Sequence, residues 1–338
     1  MIKIAVVGYG YWGPNLARNF AETKGAELAA VCDMRPEMLR QAKARFPSLK
    51  VTTSFDELLT DSSIDALAIA TPVSTHANLA LRAIKAGKHV LVEKPLAADS
   101  RQAQAVVDAA HKHRRVLLVD HTFVYMGAVR KVKQMLDEKA LGELYYYDSV
   151  RVNLGLFQHD VSVIWDLAVH DLSIIGYWIP QAPTAVSCLG TAHLKGHPVD
   201  VAYLTLLYDH EFIAHIHVNW LSPVKIRRTL LGGKDKTIVF DDLDPIEKIK
   251  IYNRGVTRRD DLVGRDKVPL AYRRTGDIWI PQFEMTEALR VEAEHFVRCI
   301  TESEEPITGG REALRIVHIL EAAEESLRRR GAAVDVAP

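Results

Sequence analysis

A chain of 338 residues, 48% of them hydrophobic, is long enough for two domains with a core in each. Lys plus Arg equals Asp plus Glu at 43 each, so no global field exists to attract nucleic acid, and a charged ligand has to be recognised by local residues. No run of about 18 or more apolar residues occurs, and the first strand starts at Ile2 with no basic region or cleavage site before it; a soluble chain with no membrane partner and no export signal is expected.

The apolar run Ile2 to Val7 leads into Gly8-Tyr9-Gly10-Tyr11-Trp12-Gly13, and Asn15 to Phe20 then reads as helix. Strand, Gly-x-Gly-x-x-Gly turn and helix in that order put a helix N-terminus against a pyrophosphate. Gly8 permits the tight turn, Gly10 the close approach of backbone to phosphate, and Gly13 the packing of helix on strand, with Tyr11 and Trp12 in the same cofactor loop. A plain strand-to-helix turn is the other reading of three glycines. The next β run, 27–33, ends in Asp33, roughly 20 residues past the last glycine, where a ribose-binding acid belongs. Its charge repels a 2′-phosphate, so NAD is expected over NADP; Arg35 could pair with such a phosphate or stack on adenine.

Further β runs near 50–53, 65–70, 88–92 and 115–120 alternate with helical patterns at 36–46, 74–86 and 100–113, which predicts a doubly wound parallel sheet. Strand C-termini on one edge of such a sheet converge on the ligand crevice. Thr71-Pro72 and the helix start that carries His76 follow the fourth run, and Glu93-Lys94-Pro95 follows the fifth. A capped turn and a surface ion pair are the ordinary alternatives. The position of Lys94 favours a cation that stabilises alkoxide charge during hydride transfer, with Glu93 and His76 touching the ribose or carboxamide side of the cofactor.

A helix at 127–139 leads out of the sheet, and after Gly142 the texture changes. Alternating runs at 144–153, 184–194, 199–208, 211–221, 225–232, 236–241 and 247–252 predict a large open, mostly antiparallel sheet, interrupted by one helix at 163–178. In that helix Asp166 and His170 are four residues apart on one face, a carboxylate beside an imidazole whose reference pKa of ~6.5 suits proton removal; a purely structural pair is the alternative. Residues 254–277 read as a surface excursion or intersubunit arm, and helices at 284–301 and 311–329 close the chain. Three cysteines, Cys32, Cys188 and Cys299, form no motif and fit a reducing cytoplasm. His193 with His197, or His215 with His217, could place two imidazoles on one face, but neither pair has an evident third ligand and no metal is expected.

The glycine turn, Ala70-Thr71-Pro72, Glu93-Lys94-Pro95 and the Asp-x-x-x-His helix followed by an open sheet together resemble the Gfo/Idh/MocA family over nearly the whole chain. The resemblance implies an α/β protein: an N-terminal Rossmann domain over 1–122, and a substrate-binding and oligomerisation domain over 123–338 whose last helices pack back on the first. It also implies that Lys94, Asp166 and His170 are catalytic and that a homodimer or homotetramer forms through the C-terminal sheet. Arg151-Val152-Asn153-Leu154-Gly155, Asp166 to Asp171 and Val218 to Pro223 look like the members acting on nucleotide-linked sugars in polysaccharide biosynthesis, including UDP-N-acetylglucosamine and UDP-N-acetylglucosaminuronate 3-dehydrogenases. Val169 departs from that subgroup's usual proline, and Met126-Gly127 from its usual Asn-Pro.

The expected reaction is NAD(P)-dependent hydride transfer at a sugar hydroxyl, with Tyr125, Arg151 and Asn153 joining Lys94, Asp166 and His170 around the substrate; for Arg151 and Asn153 a structural salt bridge is the alternative. A free cyclitol or monosaccharide dehydrogenase and a non-catalytic NAD-responsive regulator are the other two functions considered.

Overall fold

Six short apolar strands form a parallel sheet in the computed structural model, which describes residues 1–155, 161–258, 270–273 and 275–337. They are β1 (Ile2–Val7), β2 (Ala26–Cys32), β3 (Lys50–Thr52), β4 (Ala66–Ile69), β5 (His89–Glu93) and β6 (Leu117–Asp120), in the order β3-β2-β1-β4-β5-β6. Between them run α1 (Gly13–Glu22), α2 (Pro36–Arg45), α3 (Phe55–Thr60), α4 (Val73–Lys85) and α5 (Ser100–His113). Every residue of β4 is fully buried, as are Val90, Leu91 and Val92 of β5, because crossover helices cover both faces of a parallel sheet. Strand order reverses between β1 and β4, and that switch opens a crevice at the C-terminal strand ends. The predicted doubly wound architecture is the one observed; α3 is the element its periodicity did not announce, being only six residues long.

The compact units do not divide at a single cut after residue 122. One contains Met1–Met126 and Thr286–Glu321, the other Gly127–Met285 and Ala322–Pro338. In the second unit come α6 (Gly127–Asp137), β7 (Leu144–Leu154), α7 (Val169–Trp178), β8 (Ala185–Thr191), β9 (Val201–Leu207), β10 (Ile213–Asn219), β11 (Leu221–Gly233), β12 (Thr237–Asp241) and β13 (Ile249–Tyr252). Short pieces β14 (Gly255–Arg258), β15 (Leu270–Arg273) and β16 (Ile278–Trp279) follow, then α8 (Ala288–Thr301), α9 (Gly310–Arg328) and β17 (Val334–Asp335).

Among the described residues the large sheet has nine strands, β16-β13-β12-β11-β7-β10-β9-β8-β17, antiparallel except where β7 meets β10. Its inner face is built from Ala202, Leu204, Ala214, Ile216 and Val218, all 0% exposed. Trp178 of α7 sets its ring edge-on to Tyr147 and Phe240, at 6.1 and 6.2 Å between centroids, and donates to the Val129 carbonyl. The alternate residues Tyr146, Leu189, Tyr203 and Ile213 lie on the open face. Within the expected excursion, β14 pairs with β15; the rest of that reading, over 259–269 and 274, lies outside the described residues.

Helix α8 belongs to the first unit because its apolar stripe closes that unit's core. Leu289, Ala293, Phe296 and Val297 join Leu16, Ala17 and Phe20 of α1, with the Phe20 and Phe296 rings edge-to-face at 6.2 Å. Phe296→Ala therefore should cost about 3–5 kcal/mol in urea unfolding, since a fully buried ring is replaced by a cavity.

Buried ionisable groups give the fold a pH limit. His89 at the head of β5 takes the Val116 amide on Nδ1, and burial, then the charge of Arg115, pushes its imidazole down to about 4. A depressed histidine contributes full stability above the unfolded value of ~6.5 and loses it as pH falls towards the folded value, because the unfolded chain binds the proton first. The melting temperature is expected to fall from pH 6.5 towards pH 4, and His89→Phe should flatten part of that slope even if it lowers the plateau.

Candidate active site

In the first unit the glycine turn meets the physical requirement of each position. Gly8 has φ +91°, and a Cβ there would lie 2.4 Å from the Ala70 carbonyl oxygen. A Cβ on Gly13 would lie 2.0 Å from the Gly8 carbonyl oxygen, so α1 can pack on β1 only with glycine there. Gly10 differs: a Cβ there would meet only the Arg35 guanidinium, at 3.4 Å, so the space it leaves is open to a ligand rather than taken by protein. Helix α1 starts at Gly13 with proline in its first turn, no acidic residue there and no side-chain cap, an N-terminus suited to phosphate.

Asp33 stands one residue past β2. Its Oδ2 accepts the Tyr9 amide at 2.7 Å and its Oδ1 the Arg35 amide at 2.9 Å, while the Arg35 guanidinium lies across both oxygens at 3.1 Å. Burial opposes ionisation, but hydrogen bonds from the Arg35 side chain and the two amides outweigh it and hold the carboxyl below its ordinary range. A ribose that takes this carboxylate has to displace the exposed guanidinium. Tyr11 is 86% exposed and stacks beside Trp12, whose indole Nε1 donates to Asp120 Oδ2 at 2.6 Å.

Behind that bond is a buried carboxyl pair that sequence reading missed. Glu292 of α8 is 0% exposed, and no donor among the described residues faces its oxygens. Burial first, then the charge of Asp120, pushes its carboxyl well above the usual carboxylate range. Asp120 ties β6 to the glycine turn through Trp12, and Thr122 adds a second donor to it.

The turns after β4 and β5 lie at the same strand ends. Thr71 bonds Thr75, and Pro72 leads α4. His76 is not turned to a cofactor as expected: it is 1% exposed, with Nδ1 2.8 Å from the Pro95 carbonyl oxygen and Nε2 2.7 Å from that of Thr71. Its part is to tie the Thr71-Pro72 turn to the Lys94-Pro95 turn, whose peptide bond is cis. Glu93 ends β5 and Lys94 follows it, both half-buried, with Glu93 in register with Asp120 of β6. Tyr125 also departs from expectation. Its hydroxyl is bonded to Thr308 at 2.9 Å and its ring lies against His295, so its polar atom is already engaged within the first unit.

In the second unit the expected helix opens with a π turn, Ile164–Ala168, which passes into α7 at Val169. Asp166 sits in the π turn and His170 in α7, so the simple four-residue α spacing does not hold between them; such turns recur where a side chain has to be re-aimed at a functional site. Asp166 Oδ2 accepts the indole N–H of buried Trp220 at 3.1 Å. Asn153 and Trp220 flank Gly155, where a Cβ would lie 3.0 Å from the Asn153 amide nitrogen and 2.9 Å from the indole Cδ1. His170, half-buried, follows at the head of α7.

For Arg151 the salt-bridge alternative is what is seen. The guanidinium is 3% exposed and bonds Asp171 through Nε at 2.6 Å and Nη2 at 3.3 Å, with Ser149 donating to the same carboxylate. This pair clamps α7, and His170 with it, onto β7. Among the described residues no group of three or more His, Cys, Asp or Glu could hold a metal ion, and no helix is long and apolar enough to cross a membrane. His193 instead pairs with buried Asp200 at 2.7 Å.

Two family profiles match the chain: an oxidoreductase family with NAD-binding Rossmann fold over residues 2–121, and the GFO/IDH/MocA C-terminal domain over 129–239. The oxidoreductase YdgJ of Escherichia coli K12 is 30% identical over 264 residues, 73% of each chain. The UDP-N-acetylglucosamine 3-dehydrogenase of Acidithiobacillus ferrooxidans is 28% identical over 304 residues, 88% of each chain. Its solved structure superposes with a TM-score of 0.82, covering 97% of this chain and 98% of that one at 24% identity. An NAD-dependent scyllo-inositol 2-dehydrogenase of Bacillus subtilis is 24% identical over 344 residues, 97% of this chain and 94% of that one.

Arg151→Leu should leave Asp171 charged and unpaired in the interior, at a cost of about 3–5 kcal/mol in urea unfolding, and adding Asp171→Leu should recover part of it.

Proposed function

Because the chain belongs to the Gfo/Idh/MocA family of NAD(P)-dependent oxidoreductases, we propose that it is a dehydrogenase of a nucleotide-linked sugar, working on one hydroxyl-bearing carbon in polysaccharide or glycan biosynthesis. The observation that carries this reading is the common edge in the first unit: Lys94 directly follows β5, the strand beside β4, at the same side of the sheet as a glycine turn built for close approach. When bound, nicotinamide supplies the hydride acceptor. Gly8, Gly10, Tyr11, Trp12 and Gly13 hold its pyrophosphate side, Asp33 and Arg35 its adenosine ribose, and Thr71, Pro72 and Glu93 the nicotinamide side.

In this reading His170 takes the proton of the sugar hydroxyl as hydride leaves the carbon, and the Lys94 ammonium offsets the negative charge that grows on that oxygen. Asp166, held by Trp220, positions the imidazole or a neighbouring hydroxyl, and Asn153 contacts the sugar nucleotide. The likeness of 28% to the UDP-N-acetylglucosamine enzyme over most of both chains supports a nucleotide-linked substrate. The B. subtilis relative supports a free cyclitol as the second reading, and the retention of both Lys94 and His170 argues against a regulator without activity.

A homodimer or homotetramer would cover the open sheet face, where Leu189 is in register with Tyr203 and Tyr146 with Ile213, each at least 38% exposed. The free, buried thiols of Cys32, Cys188 and Cys299 suit a reducing cytoplasm.

The test is a panel of UDP-sugars and free cyclitols followed by nicotinamide absorbance. Turnover with a UDP-sugar, inhibited by free UDP, is expected; turnover with a cyclitol, indifferent to UDP, would replace this reading with the second. Lys94→Ala and His170→Ala should each lower kcat by about 10²–10⁴-fold and leave NAD affinity within about threefold.

A further inference from the structure

His121 has no place in the roles above, yet it stands at the same strand end. It follows β6 directly, and because Glu93 is in register with Asp120, His121 is the neighbour of Lys94 across the two strands. The side chain is 1% exposed, and among the described residues neither ring nitrogen finds a hydrogen-bond partner. Buried polar atoms are nearly always satisfied, and two open positions on one ring at the C-terminal end of a parallel sheet call for an explanation.

The charge state narrows what can answer them. Burial, and then the ammonium of Lys94, pushes the imidazole down to about 3, so at working pH the ring is neutral, with one N–H to give and one lone pair to receive. A phosphate or carboxylate offers acceptors only and would leave the lone pair unmet. An ammonium offers donors only. A hydroxyl or a primary carboxamide offers both.

We propose that His121 is a ligand-contacting residue beside Lys94, recognising a group that both donates and accepts a hydrogen bond: the carboxamide of the nicotinamide or the hydroxyl of the sugar. This rests on the dehydrogenase reading and adds to it a residue that selects neutral polar groups at the reacting end of the site. It also separates two neighbours by task, since Lys94 supplies charge and His121 supplies direction.

The experiment is ring ¹⁵N NMR of the full chain with labelled histidine, the His121 signal assigned by its loss in His121→Asn. Additions are made in the order ADP-ribose, NADH in its place, then UDP-N-acetylglucosamine on top of NADH. A shift with NADH but not ADP-ribose identifies the carboxamide; a shift only with the sugar nucleotide identifies the hydroxyl. A signal unmoved by all three, while the backbone amides of Gly10 and Gly13 respond to NADH, overturns the proposal and leaves the cofactor reading intact; amides that also ignore NADH overturn both. In parallel, His121→Phe should raise the NADH Kd or the sugar KM about tenfold, and His121→Asn should restore most of it. Equal losses in both variants, tracking a lowered melting temperature, would assign His121 to packing and sink the idea.

Discussion

The first unit depends on one steric constraint, the contact of Gly13 with the Gly8 carbonyl. With 2.0 Å between that oxygen and the place of a side chain, any other residue would push α1 off β1. Gly8 is pinned in turn by the Ala70 carbonyl, so β1, β4 and the start of α1 share one junction. Asp33 reaches back to the Tyr9 amide inside that junction, and Asp120 reaches Trp12 from the far edge of the sheet. The site edge is thus assembled by backbone contact first and tuned by side chains second. A buried carboxyl, Glu292, lies close by, pushed above its usual range by burial and by the charge of Asp120.

A similar hierarchy orders the second unit. Arg151 and Asp171 cross the gap between β7 and α7 with a buried, hydrogen-bonded ion pair, a costly device unless every lone pair is met; Ser149 meets one of them. Its value lies in registry: the pair is made by Asp171, the residue after His170, so the imidazole is set by an anchor one position away. Trp220 does the same for Asp166 from the sheet, through a single indole N–H.

How much of this could be read from the chain depends on the range of the forces involved. The glycine turn, Asp33 and the alternation of strands and helices are local patterns, legible because spacing and hydropathy report them directly. So were Lys94 and His170 as candidates. The π turn was not, because Ile164 to Ala168 has the composition of any buried helix and its extra residue is imposed by its surroundings. Nor were Glu292 and His121, whose raised and lowered pKa values and open polar atoms arise only when the folded chain buries them. His76, Tyr125 and Arg151 were singled out for their chemistry and turned out to hold the scaffold; in each case backbone carbonyls, a threonine or an aspartate had already engaged the polar atoms.

The return of α8 to the first unit has a consequence for how the protein is made. A ribosome that has released Met1–Met126 has delivered the whole parallel sheet but not Phe296, Leu289 or Ala293, which seal the space beside Phe20. The nascent nucleotide-binding half has to hold an uncovered apolar flank while Gly127–Met285 is translated, the situation in which chains turn to chaperones. The sheet made first waits for a helix made roughly 160 residues later to close its core.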